Sequence, residues 1–230
     1  MTPLTSIVLP ICNQADQIDD IVHDYTASLG AAALDYELLL VVNGSHDASL
    51  DVATRAAERD TRVRVLSTRD AGWGLAVKMG LAAATGDLLC YTNSARTRGD
   101  DLVRLVQYAA SNPGTVIKAT RRLRDGLIRR AGSLVFNAQC RLLFDLSVWD
   151  INATPKVFPR TLTRLLSLES NDDLFDAELV LTCRRADYPM LEVPVEFTSR
   201  RGGLSTTTWR SAVRLYLGAF RLHAAHRGQP

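Results

Sequence analysis

A chain of 230 residues, 47% hydrophobic and 23% charged, has the make-up of an ordinary globular protein with room for one sizeable core, and its formal charge of +2 excludes a strong general attraction for nucleic acid. Its four cysteines, Cys12, Cys90, Cys140 and Cys183, form no CxxC pair and no metal-ligand spacing, which fits a reduced, cytoplasmic chain. The amino terminus carries no basic region followed by a long apolar run, so no signal peptide is expected, and no apolar stretch approaches the roughly 20 residues needed to span a bilayer.

Strands and helices are predicted to alternate from the start. Ile7-Val-Leu9 is a β-branched run ended by Pro10, and Asn13 is placed to cap the next helix, whose Ile18, Ile21, Val22, Tyr25 and Leu29 recur at helical spacing before Gly30 as a C-terminal cap. Glu37 to Val42 is apolar on both faces, as a central parallel strand should be, with Gly44 for the turn and Asp47 to cap a helix from about Ala48 to Glu58. Val63 to Leu66 is a strand, Leu75 to Ala84 a helix closed by Gly86, and Leu88 to Thr92 a fourth strand. Asp100 and Asp101 open a helix through Ala110, where the helix dipole favours them, and Val116-Ile117 begins a fifth strand. This order predicts an α/β fold with a doubly wound, mostly parallel sheet flanked by helices.

The second half is less regular. Leu127 to Phe144 reads as a long amphipathic helix, Lys156-Val-Phe158 as a short strand and Leu174 to Ala186 as a helix. Leu191, Val193, Val195 and Phe197 alternate with polar positions or Pro194, which predicts a half-buried or edge strand. Ser199 to Ser205 is a basic, Gly-rich loop, and Trp209 to His226 a closing helix that mixes Arg210, Arg214 and Arg221 with bulky apolar residues. No repeat or linker divides the chain, so residues 1–230 are read as a single domain.

In an open α/β sheet, ligands sit beyond the carboxyl ends of the strands. The turns Pro10 to Gln14, Asn43 to Ser45, Asp70 to Lys78 and Asn93 to Ala95 should therefore share one crevice, with Gly44, Gly72 and Gly74 allowing close backbone approach. Any one of these turns is explained as a turn; four in one crevice point to a binding site.

The ordered series Ser6-Ile-Val-Leu-Pro-Ile-Cys-Asn-Gln14, Val-Val-Asn43-Gly-Ser-His-Asp47, Arg69-Asp-Ala-Gly-Trp-Gly-Leu-Ala-Val-Lys-Met-Gly80 and Ala-Thr-Gly-Asp87 resembles the family 2 inverting glycosyltransferases. Later segments resemble the dolichol-phosphate mannose synthase branch of that family: Asp150 with Lys156-Val-Phe158, Phe175-Asp-Ala-Glu-Leu179, Glu192-Val-Pro-Val195 and Arg201-Gly-Gly-Leu-Ser205. The resemblance covers about residues 6 to 222. It implies a GT-A (Rossmann-like) fold, with about residues 1–120 as a nucleotide-binding half and about 121–230 as an acceptor-side half. It also implies transfer of a sugar, with inversion, from a UDP- or GDP-linked donor to a phosphate or hydroxyl acceptor, polyprenyl phosphate among them.

By that resemblance Pro10, Cys12 and Asn13 line the base and ribose; Ser45 and Gly72, in the neighbouring turns of the same crevice, are further nucleotide-binding candidates. Asn43 stands where the family has an Asp that accepts a base imide hydrogen; its amide oxygen still accepts, without the charge. Gln14 replaces a Glu in the same way. Lys78 has two readings, a phosphate ligand or a solvated helix face.

The largest departure is Asn93-Ser94-Ala95, where the family places Asp-x-Asp to hold Mg²⁺ or Mn²⁺ on the diphosphate. Asn93 keeps one carbonyl oxygen and Ala95 none, so weak metal binding or none is expected at this position, and neither Mg²⁺ nor Mn²⁺ is firmly predicted as a cofactor. Arginine could take over the diphosphate charge, from a set comprising Arg96, Arg98, Arg121, Arg122, Arg129, Arg130, Arg200 and Arg201. Arg121, Arg129 with Ser133, and Arg201 with Ser205 are the phosphate or acceptor candidates, the last pair in a loop suited to an anion. Asp176 and Glu178 are the catalytic candidates; two apart on a helix, they cannot share a face, and Asp176 is preferred. None of the histidines has a recognisable partner.

The reading is thus a glycosyltransferase with a nucleotide-sugar donor, cytoplasmic or peripheral at the inner face of a membrane, with weak contact through the closing helix. The rival is a non-catalytic nucleotide-sugar binder that has lost its metal ligands.

Overall fold

Runs without a polar face become strands only when both sides are covered, and two such runs form the middle of this molecule. In the computed structural model, which describes residues 3–93, 95–121, 127–195 and 209–226, β1 (Thr5–Ile11) and β2 (Tyr36–Asn43) are buried at every position. β3 (Val63–Thr68) pairs with β2, and β4 (Leu88–Tyr91) with β1, all parallel. The simple winding then changes. β6 (Lys156–Pro159) lies antiparallel between β4 and β5 (Val116–Arg121), and β7 (Met190–Val195) closes the edge parallel to β5. The sheet order is β3-β2-β1-β4-β6-β5-β7. Pro194 sits on the outermost strand, where its missing N–H costs no ladder bond.

Alternate side chains of one strand feed two cores. Ile7, Leu9 and Ile11 pack under α1 (Ile18–Ala31), α2 (Ser49–Arg59) and α4 (Gly99–Ser111). Val8 points the other way, into the core roofed by α3 (Trp73–Ala83), α5 (Leu127–Phe144), α6 (Phe175–Arg185) and α7 (Trp209–His226). Strand order reverses between β1 and β4, and a crevice opens at such a switch point.

Two capping expectations are corrected. Asn13 does not cap α1, which starts only at Ile18 after Gln17. It takes a left-handed φ of 50°, and its Oδ1 accepts the His46 amide at 2.8 Å, so its side chain ties the first turn to the second. Gly30 is not the C-terminal cap either; the helix runs on to Ala31 and the left-handed residue is Ala33. Asp47 stands one residue before Ala48, the N-cap of α2, and its Oδ1 accepts the Ser49 amide at 3.0 Å.

Candidate functional site

The first three turns at the carboxyl ends of the strands are joined by side chain to backbone bonds. The Asn13 amide donates to Ser45 Oγ at 3.1 Å and the Gln14 amide to Ser49 Oγ at 2.9 Å. Asp47 Oδ2 accepts the Ala15 amide at 3.0 Å. Partial burial raises the Asp47 carboxyl, but the hydrogen bonds from Ser49 and Ala15 outweigh it and hold the group below its ordinary value. Asn43, 5% exposed, donates from Nδ2 to the Gly72 carbonyl at 3.1 Å. That bond fixes the amide plane and presents Oδ1 as its acceptor. Gly44 has φ of +58° and lies so near the turn after β3 that a Cβ would stand 2.5 Å from the Ala71 Cβ. Cys12 and Ser45 are partly exposed beside these contacts, while Pro10 and Gln14 are buried.

The turn after β4 is different. Asn93 Oδ1 accepts the Ala95 amide at 3.1 Å, and the Asn93 amide donates to Thr154 Oγ1 at 3.2 Å. The hydroxyls of Thr92 and Thr97 meet at 2.6 Å, and Ala95 is 2% exposed. A divalent ion needs several hard oxygens converging on one point. Here one amide oxygen is spent on the turn and its neighbour is a buried methyl, so the residues do not fit the Mg²⁺ or Mn²⁺ site of the family. Among the described residues no group of three His, Cys, Asp or Glu could hold a metal ion. Ser94 lies outside the described residues.

α6 supplies both catalytic candidates, and both are engaged. Asp176, 4% exposed, pairs with the fully buried Lys156 ammonium through Oδ1 and accepts the Tyr91 hydroxyl at 2.7 Å. Its Oδ2 accepts the Trp73 indole N–H at 3.1 Å. Burial, with the Asp176 carboxylate beside it, pushes the Tyr91 hydroxyl well above its ordinary value and keeps it a donor. Glu178, 5% exposed, accepts the amides of Glu169 and Ser170 at 2.7 and 2.8 Å. The loop it fixes leans on the start of α3: the Leu75 amide donates to the Asn171 carbonyl at 2.9 Å, and Lys78 Nζ donates to the Glu169 carbonyl at 2.7 Å. Lys78 thus bonds the backbone of the loop before α6.

Arg121 forms a two-bond fork on Asp150, at 2.7 and 2.8 Å. Arg129 and Ser133 fall in α5, but their side chains lie outside the described residues, as do Arg122, Arg200, Arg201 and Ser205 altogether. Sequence reasoning missed Trp73 and Tyr91 and gave Lys156 no role; the one visible signal was an indole flanked by two glycines, Gly72 and Gly74. A separate open depression, lined by Pro3, Leu4, Leu34, Asp35, Tyr36, Arg62 and Asp87, lies at the opposite, amino ends of the strands.

Comparison with known proteins gives the family and the fold. Over 213 residues the chain is 26% identical to an undecaprenyl-phosphate 4-deoxy-4-formamido-L-arabinose transferase from Sodalis glossinidius, covering 91% of this chain and 64% of the relative. It is 24% identical over 214 residues to the transferase of the same name from Klebsiella pneumoniae, with the same coverage. The chain therefore spans under two thirds of the length of these relatives. Among solved structures, glucosyl-3-phosphoglycerate synthase from Mycobacterium tuberculosis, in complex with Mn²⁺, UDP and glucosyl-3-phosphoglycerate, superposes with a TM-score of 0.76 at 19% identity, over 99% of this chain and 81% of that one. That likeness establishes a common GT-A-like fold. Residues 6–141, more than half of the chain, match the glycosyl transferase family 2, and the chain belongs to that family.

Proposed function

We propose that this protein transfers a sugar from a UDP- or GDP-linked donor to a polyprenyl phosphate, with inversion. The observation that carries the acceptor class is the engagement of Asp176 and Glu178. Asp176 receives three donors, one of them an ammonium, and Glu178 receives two amides. Both carboxylates spend their oxygens on donors of the chain itself, while a hydroxyl acceptor needs a base within reach of its proton. A phosphate arrives already ionised and needs none. The relatives named for undecaprenyl phosphate support the same class.

The surface beside α7 supports it further. Neither Leu127–Phe144 nor Trp209–His226 contains an acidic residue, while they carry Arg129, Arg130, Arg141, Arg210, Arg214 and Arg221. The two helices pack together, with Phe136 edge-on to Tyr216 at 5.7 Å and Gln139 Nε2 on the Tyr216 carbonyl at 2.9 Å. Leu134, Val135 and Leu142 on α5 and Leu217 and Phe220 on α7 stay more than half exposed. Apolar residues amid arginine alone suit the surface of an anionic bilayer, where the acceptor resides. Among the described residues no helix is long and apolar enough to cross a membrane, and a contact made through these arginines is salt-sensitive. Arg201 and Ser205 are assigned to the acceptor phosphate.

Transfer assays with undecaprenyl phosphate and with soluble sugars, with and without EDTA, test this reading. Transfer to the lipid phosphate, insensitive to EDTA and reduced by Arg201→Ala, is expected; transfer to soluble hydroxyl acceptors alone overturns it. The closed turn at Asn93–Ala95 favours a second reading, a nucleotide-sugar binder without activity, for which UDP or GDP binds and no acceptor turns over.

A further inference from the structure

The observations at the start of α3 carry one step more. It rests on the donor site proposed above. Trp73 is the first residue of α3 and stands between two fixed points. On one side Gly72 is held by Asn43, the residue proposed to meet the base. On the other, the indole lies edge-on to Tyr91, the last residue of β4, with ring centroids 6.2 Å apart. β4 leads directly into the turn where the diphosphate lies in the family, so the indole of Trp73 stands at the phosphate end of the crevice, the end to which the sugar is joined.

The ring cannot drift. A Cβ at Gly72 would stand 2.5 Å from the Asn171 carbonyl oxygen, and one at Gly74 would stand 2.3 Å from that of Ser170, so the backbone of one loop presses on the residues before and after Trp73. Asp176 takes the indole N–H, and Asp176 is itself fixed by Lys156 and Tyr91. Four elements, α3, β4, β6 and α6, meet at this one carboxylate. Yet Trp73 stays partly exposed at the carboxyl ends of the strands, where a large aromatic ring has no structural need of water contact.

We infer that Trp73 is a wall of the donor crevice that packs on the sugar of the nucleotide-sugar, and that Asp176 is a positioning residue that sets the angle of this wall. A flat apolar ring meets the C–H face of a hexose, which is joined beyond the diphosphate, while the nucleotide alone stops at that diphosphate. Asp176 therefore acts through the indole, and the acceptor-side helix α6 adjusts donor binding without touching the donor.

The test uses the chain's three tryptophans. Trp149→Phe with Trp209→Phe leaves Trp73 as the sole emitter. UDP-glucose or GDP-mannose is expected to shift its emission more than UDP or GDP does. Trp73→Phe, which keeps a ring but loses the N–H, and Asp176→Asn, which keeps an acceptor oxygen, are each expected to weaken the nucleotide-sugar about three- to tenfold while leaving the matching nucleotide within about twofold. A purely structural role would weaken both alike. Calorimetric binding of a nucleotide-sugar with unchanged Trp73 emission, or an unchanged sugar-to-nucleotide ratio in Trp73→Phe, overturns this inference and leaves the donor site standing. No heat from any of the four compounds on the unaltered protein overturns the donor site, and the inference with it. Should Asp176→Asn fail to fold, Trp73→Phe, which spares the Lys156 pair, decides.

Discussion

The turns after β2 and β4 end neighbouring parts of one sheet at the same level, yet they are finished in opposite ways. After β2, Asn43, Ser45 and Asp47 tie the neighbouring turns together, Asp47 with both of its oxygens, and Asn43 keeps its Oδ1 outside these bonds. After β4, Asn93, Thr92 and Thr97 spend their polar atoms on the turn itself, around a buried Ala95. The difference teaches that two turns at one level of the same sheet can be finished independently, one clamping its neighbours and one closing on itself. A turn that binds a metal must leave oxygens unpaired and converging; a turn that closes on itself gains order and loses that capacity.

The comparison can be broken from beneath, and that has the largest expected effect. Asp176→Ala leaves the Lys156 ammonium buried without its partner beside the end of β4. It should cost about 3–5 kcal/mol by urea denaturation, because an unpaired charge stays in the core. Next comes the root of the β1 and β2 turns. Burial raises the Glu37 carboxyl, but bonds from Ser6, Thr85 and Arg64 outweigh it and lower the group from 4.5 to about 2. A carboxyl depressed in the folded state contributes stability in full above its ordinary value and loses it as pH falls through the folded one. Glu37 should therefore lend acid stability that fades from pH 4.5 toward about 2. Glu37→Gln, costing about 2–3 kcal/mol at neutral pH, should flatten that slope in melts measured across the range.

Two smaller effects sharpen the contrast. Asn93→Asp with Ala95→Asp should lower thermal stability in EDTA, since the second carboxylate enters a site 2% exposed. Millimolar Mn²⁺ should restore part of the loss by binding only the folded state. A melt identical with Mn²⁺ and EDTA would show that this turn cannot be reopened. Asn43→Asp should cost about 1–2 kcal/mol, because the Gly72 carbonyl loses its donor and faces a carboxylate. Calorimetry should then show no tighter UDP or GDP binding, although the family's usual residue has been restored.

How much of this was legible in the chain follows from physical range. The helices Leu127–Phe144 and Trp209–His226 coincide with the amphipathic runs, and the edge position of Met190–Val195 with the proline in it, because those signals are local. The doubly wound order was legible too. The antiparallel insertion of β6 was not, since a four-residue strand carries no mark of its direction. Asn13 misled because a helix cap and a turn clamp use the same side-chain oxygen; only the distant His46 amide decides between them. The site resemblance named Asp176 but not what holds it, because Trp73, Tyr91 and Lys156 come from three separate elements.

Lys118 and Lys156 are register partners across β5 and β6, and neither is exposed at all. Burial brings the Lys118 ammonium down to about 8, against the pull of Glu192 on β7 at 2.7 Å. Two cations side by side in a dry core are tolerable only when both counter-ions have arrived, Glu192 from β7 and Asp176 from α6. Strand β6 thus cannot join the sheet ahead of either, and this wing of the molecule must assemble, and open, as one cooperative unit. In native-state hydrogen exchange the amides of β6, α6 and β7 should share a single opening free energy.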